Sequence, residues 1–201
     1  MGKLILIRHG ETSKNVVKSL HGVNDQESLN ETGKKQIQRT AIKVAEYSPS
    51  LIYTSTEKRA LESSEILSQQ LNIPLNSIEG MHERNWGTLT GKLWNEIKVV
   101  LDPMTLDERY LYVPPEGESW KAFEDRLVGA IKTIVAKHAD ETVIVVSHSG
   151  AIRALMPFLL AVPKEESFKY DPDNASMTIF DFDANGFTRV LVNDIDHLAD
   201  L

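Results

Sequence analysis

Two short apolar runs each stop at a segment that carries a histidine and a glycine. Leu4-Ile5-Leu6-Ile7 stops at Arg8-His9-Gly10, and Val143-Ile144-Val145-Val146 stops at Ser147-His148-Ser149-Gly150. Short runs rich in branched aliphatic residues, without alternation, predict strands covered on both faces, as in a parallel sheet. Leu51-Ile52-Tyr53 predicts a shorter strand between them. Helical periodicity occupies roughly 31–46 and 57–71 in the first half, then 119–138 and 150–161. Asn30 ahead of Glu31 and Thr56 ahead of Glu57 read as helix starts. Met177 to Phe182 and Thr188 to Val192 alternate around Ala184-Asn185-Gly186, which predicts a late hairpin or a pair of edge strands.

Residues 80–118 break this rhythm. They carry Gly80, Gly87, Gly91, Pro103, Pro114, Pro115 and Gly117, with room for short helices near 92–101 and 104–110. Trp86, Leu89 and Trp94 need burial, so the stretch reads as a lid-like excursion over one end of the sheet and not as a linker. The pattern as a whole predicts one α/β domain over residues 1–201, a three-layer α/β/α sandwich with a mainly parallel central sheet.

Composition narrows the function. The chain has 201 residues, 41% hydrophobic and 25% charged, which suits a packed globular core. A formal net charge of -7 argues against a broad nucleic-acid-binding face, and no apolar run is long enough for a membrane span or a signal core. No nucleic-acid or membrane partner is expected, and a cytoplasmic location is. There is no cysteine, so disulfides, thiolate metal sites and cysteine nucleophiles drop out. The oligomeric state is open, a homodimer being one option.

Ligands of open α/β sheets bind at the carboxyl ends of the strands. Two of the predicted strands end in His, and a third leads, after Thr54-Ser55, into a helix whose first turn carries Arg59. If these strands are parallel neighbours, Arg8, His9, Arg59 and His148 meet at one edge. Ser149 and Gly150 open a helix there, whose free N–H groups favour an anion. Taken singly, a His after a strand is usually structural and an Arg at a helix start is usually solvated. Jointly, two His and two Arg at equivalent strand ends predict a cationic pocket for a phosphate in an acidic protein. The two guanidinium groups would repel a divalent cation, and no second His or carboxylate stands at ligand spacing, so no metal is expected. The Ser147–Gly150 segment lacks the glycines that a serine-hydrolase elbow requires.

These residues carry a resemblance. Leu6-Ile7-Arg8-His9-Gly10-Glu11-Thr12 with Asn15 resembles the signature of the histidine phosphatase superfamily, in its phosphoglycerate-mutase-like branch. Leu29-Asn30-Glu31-Thr32-Gly33 with Gln36, Tyr53-Thr54-Ser55 before Arg59-Ala60, His82-Glu83-Arg84 with Gly87 and Gly91, Gly117-Glu118-Ser119, and Ser147-His148-Ser149-Gly150 extend it along most of the chain. The resemblance implies that His9 is the nucleophile that becomes phosphorylated. It implies that Arg8, Arg59 and His148 hold the phosphoryl oxygens, with Asn15 adding a hydrogen bond. Glu83 would be the proton donor, and later the base that activates water. His21 and Gly22 lie where the family often meets phosphate or substrate, and Ser149 joins the phosphate-binding set.

The implied activity is a phosphatase acting on small phosphorylated metabolites, without a cofactor. The alternative is a phosphoglycerate mutase using the same site, which needs a bisphosphoglycerate primer. Glu83-Arg84 favours the mutase, whereas the absence of an Arg-Arg-Ser-Tyr-Asp run between Glu83 and Gly117 favours the phosphatase. A binding module without chemistry would be expected to lack His9, Arg59 or His148, and all three are present.

Overall fold

Six strands form one sheet among the described residues, which in this computed structural model are 1–23 and 25–201. They are β1 (Gly2–Arg8), β2 (Leu51–Thr54), β3 (Leu75–Ser77), β4 (Thr142–Ser147), β5 (Met177–Asp183) and β6 (Gly186–Asp194). Their spatial order is β3-β2-β4-β1-β5-β6. The first four are parallel, and β5 and β6 extend the sheet antiparallel beyond β1. The fold is therefore α/β with a mostly parallel central sheet flanked by helices, as the apolar runs predict.

The helices are α1 (Ser13–Val16), α2 (Glu31–Val44), α3 (Lys58–Leu71), α4 (Trp94–Leu101), α5 (Leu106–Leu111), α6 (Trp120–Lys137) and α7 (Ser149–Leu160). Successive strand residues face opposite sides, which explains why β1 and β4 are apolar throughout. Leu4, Leu6, Val143 and Val145 pack with Phe123, Leu127 and Ile131 of α6 and with Ile152 and Leu155 of α7. Ile5, Ile7, Ile144 and Val146 pack with Ile37 and Ala41 of α2 and with Ala60 and Leu67 of α3. Asn30 caps α2 by accepting the Gly33 N–H at 2.7 Å, and Ser119 caps α6 from Ala122 at 3.0 Å. No helix among the described residues is long and apolar enough to cross a membrane.

The structure refines these expectations in detail. α3 begins one residue later than Thr56-Glu57 suggested, with Glu57 as its N-cap and no side-chain cap bond. The late hairpin is β5–β6, in which β5 lies inside the sheet, paired with β1 on its other side, and β6 forms one edge. β3 and α1 carry no clear periodic signal: Leu75-Asn76-Ser77 has one apolar residue, and α1 spans a single turn.

The excursion over 80–118 has its own small core of Trp86, Leu89, Ile97 and Leu101. Arg126 of α6 pins both of its ends. Its Nη1 donates to Gly80 O and His82 O, each at 2.8 Å, and its Nη2 to Glu83 O at 3.0 Å and Glu118 Oε1 at 2.7 Å.

Candidate active site

Parallel register brings the predicted residues together. Arg8 stands opposite Ser147 in the β1–β4 pair, so His9 and His148 leave neighbouring strands side by side, their ring centroids 5.3 Å apart. Thr54 stands opposite Val146, which places the start of α3 against the same end of β4. Arg59 reaches both imidazoles from there. Its Nε donates to His9 Nε2 at 3.2 Å and its Nη2 to His148 Nδ1 at 3.0 Å.

The tautomers follow from these partners. His9 Nδ1 lies 2.7 Å from Gly10 O, which only accepts, so Nδ1 carries the hydrogen and Nε2 keeps its lone pair. His148 Nδ1 accepts from Arg59, so its hydrogen sits on Nε2. Burial first, and then the charge of Arg59 with His148, Arg8 and His21, holds the His9 pKa well below the ordinary histidine value. A neutral imidazole with a free Nε2 lone pair is what a nucleophile requires. Burial also lowers the His148 pKa, against the opposing pull of Glu57.

Arg59 and His148 are fully buried and His9 is 2% exposed. Two guanidinium N–H groups, Arg8 Nε and Arg59 Nη1, are buried without an acceptor among the described residues. An orphaned buried donor costs about 1–3 kcal/mol, so this corner favours an incoming anionic oxygen.

His9 and Arg8 open onto a cavity of about 680 Å³, also lined by Asn15, His21, Glu83 and Ser149. Asn15 Oδ1 accepts from Thr12 N and from Asn174 Nδ2, both at 3.1 Å. Its amide nitrogen lies 3.4 Å from His21 Nε2. The His21 ring meets His9 edge-on at 5.8 Å and gives its Nδ1 hydrogen to Asp25 at 3.2 Å. Burial and the charge of Arg59 push the His21 pKa down to about 3, with Asp25 only partly offsetting them. Glu83 sits over the start of α7, its two oxygens accepting Arg84 N–H at 2.7 Å and Gly150 N–H at 3.0 Å. A Cβ at Gly150 would collide with that carboxylate, which explains the glycine.

Gly22 lies in the loop after α1. It is buried against Thr90, whose side chain a Cβ would strike, and it does not line the cavity. Glycine here admits the excursion to the chain after α1.

Two residues escaped the reading of the sequence, and a third, Arg84, entered it only as part of a motif. Glu57 is 3% exposed and holds His148 Nε2 at 3.0 Å, and it also accepts the hydroxyl of Ser55. Burial raises its pKa, but His148, Ser55 and Arg59 outweigh that and hold the carboxyl well below the usual range. Asn174 donates to His9 O at 3.1 Å from the loop before β5. Arg84 is buried with its guanidinium 4.3 Å over Trp86, and lines the cavity while donating to the carbonyls of Tyr112 and Glu118. Glu57 carries a faint signal, an acid between Ser55 and Arg59, which helix capping explains away. Asn174 carries none, because its partners lie far off in sequence.

A parallel sheet with paired imidazoles and guanidiniums at its carboxyl edge defines a phosphoglycerate-mutase-like class of protein. Bacillus stearothermophilus YhfR superposes on this chain with a TM-score of 0.88 and 30% identity, covering 98% of this chain and 100% of that one. Over 205 residues the chain is 29% identical to phosphoglycerate mutase-like protein 4 of Arabidopsis thaliana, covering 98% of this chain and 87% of that protein. It is 28% identical to phosphoserine phosphatase 1 of Hydrogenobacter thermophilus, covering 100% and 96% of the two chains. The model of the histidine phosphatase superfamily (branch 1) matches residues 4–195, and the chain belongs to that family.

Proposed function

We propose that this chain is a cytoplasmic phosphatase that hydrolyses small phosphate monoesters through a phosphohistidine at His9. The observation that carries the reading is the His9 imidazole, locked by Gly10 O with an unprotonated Nε2 whose lone pair accepts the Arg59 Nε hydrogen. Nε2 attacks phosphorus, the P–O bond to the leaving group breaks, and Glu83 gives that oxygen a proton. The Glu83 carboxylate then takes a proton from water, whose oxygen attacks phosphorus and releases inorganic phosphate, returning His9 to its starting form. Arg8, Arg59 and His148 hold the phosphoryl oxygens, with Asn15, His21 and Ser149 around them. Arg59 Nε must leave His9 Nε2 for a phosphoryl oxygen as the substrate enters. In a loose transition state the charge lies on those oxygens, where fixed guanidinium forks act best.

A mutase is the second reading. Arg84, Lys18 and Lys98 line the same cavity, and none of them pairs with a carboxylate among the described residues, so a substrate with a second anionic group fits. Hydrolysis of an aryl phosphate in the presence of chelator tests the first reading. Activity that survives chelation and needs no primer is expected, and strict dependence on a bisphosphoglycerate primer would assign the mutase instead.

A further inference from the structure

Glu57 stands first among buried ionisable groups to which the chemistry above gives no task. It is the N-cap of α3, yet its side chain makes no cap hydrogen bond to that helix. The carboxylate turns to the site, and its two oxygens serve different partners. Oε2 takes the Nε2 hydrogen of His148 at 3.0 Å, together with the Ser55 hydroxyl. Oε1 takes the backbone N–H of Glu83 at 3.0 Å. His148 and Glu83 belong to separate segments, one following β4 and the other opening the excursion. We propose that Glu57 is a positioning residue that ties the phosphate grip to the proton donor, holding His148 as its Nε2–H tautomer with one oxygen and the main chain of Glu83 with the other.

This inference rests on the phosphohistidine reading, and it adds a proton path to it. The groups facing His148 are Glu57, Arg59, His9 and Glu83, with the Ser55 hydroxyl oxygen 2.8 Å from Nε2 sharing that hydrogen while it donates its own to Glu57. Nδ1 is the ring edge turned to Arg59, and it carries no hydrogen to offer a phosphoryl oxygen. A monoester arriving as its monoanion brings that hydrogen: its P–O–H bond breaks as the Nδ1–H bond forms. The resulting dianion is then held by an imidazolium whose opposite charge, Glu57, is already in place on Nε2. A carboxylate behind an imidazole fixes tautomer and orientation and stabilises the imidazolium when it forms. The second oxygen keeps Glu83 in register with the same phosphoryl group.

The test uses the full chain labelled with ¹⁵N at histidine, with inorganic phosphate as the probe. In the wild type, His148 should titrate in as the Nε2–H tautomer and gain a hydrogen on Nδ1 as phosphate saturates. In Glu57→Gln that gain should vanish, and phosphate should bind about tenfold to a hundredfold more weakly, the loss expected for one charge-assisted hydrogen bond. Turnover of an alkyl phosphate should fall further than turnover of an aryl phosphate, by about another tenfold, because only the alkyl leaving group needs Glu83 in place. An Nδ1–H tautomer in the wild type overturns the proposal, as does a Glu57→Gln protein with unchanged phosphate affinity and alkyl-to-aryl ratio. The wild-type spectra decide the tautomer even where the variant does not fold. Failure to trap a phosphoenzyme on wild-type His9 ends the phosphatase reading alone, since the spectra are read without turnover.

Discussion

His9 is kept neutral by its surroundings and kept in one tautomer by one carbonyl, and both facts have measurable consequences. His9→Ala should abolish turnover and the acid-labile phosphoenzyme while leaving the fold intact, and near-normal turnover in that variant would remove the covalent mechanism. Acid should also destabilise the protein. His9, His148 and His21 have folded pKa values below the unfolded value of about 6.5, so between these limits the unfolded chain binds protons that the folded chain does not. Stability is therefore fully present above about pH 6.5 and is lost as the pH falls, for His21 down to about 3. Each such group adds a slope of about 1.4 kcal/mol per pH unit within its window. Denaturant midpoints measured from pH 7 to pH 4 should fall, and His21→Gln should flatten the curve by one such slope; a flat wild-type profile would contradict the burial of these rings as neutral species. Gly150→Ala places a methyl group where the Glu83 carboxylate lies. It should slow alkyl phosphates about tenfold or more while sparing aryl phosphates, as expected when general acid catalysis is misaligned.

At the scale of elements, strand ends and helix starts do the positioning. β1 and β4 lie side by side in one register, and that alone sets His9 beside His148. α3 starts where its first turn delivers Arg59 between them. The excursion is held more loosely, through its small core and the Arg126 guanidinium. Arg126→Met should cost about 2–3 kcal/mol of local stability, since it strands the carbonyls of Gly80 and His82 and removes the pair with Glu118. The expected sign is faster proteolytic cleavage within 80–118 and a raised KM, with the unfolding midpoint of the sheet core nearly unchanged; equal protection in variant and wild type would show that the segment holds itself. The strands and main helices of this scaffold were legible because their apolar positions repeat locally at periods that backbone geometry dictates. β3 escaped because a short, half-exposed edge strand needs little apolar surface.

Across the whole molecule, an acidic chain carries a cationic pocket walled by two apolar layers. The layers, not surface ion pairs, hold the pocket in shape. Phe123, fully buried in the α6–α7 layer, should cost about 3–5 kcal/mol on replacement by Ala. Val99→Ser on the exposed face of α4 should stay within about 0.5 kcal/mol. Chemical denaturation of the two variants checks the contrast, and similar losses would mean that the exposed face of α4 is packed.

The amino-acid order by itself pointed to five of the six strands, the long helices and the candidates Arg8, His9, Arg59 and His148, with Glu83 added by the family resemblance, because hydrophobic periodicity and motif spacing are local properties of a chain. Only the tertiary structure decided which of their atoms meet. It assigned the hydrogen on each imidazole, turned Glu57 from its own helix to His148, and packed Gly22 on Thr90. Apart from the Gly10 carbonyl that sets the His9 tautomer, those outcomes depend on strand register and on partners dozens of residues away, and no local pattern records such distances.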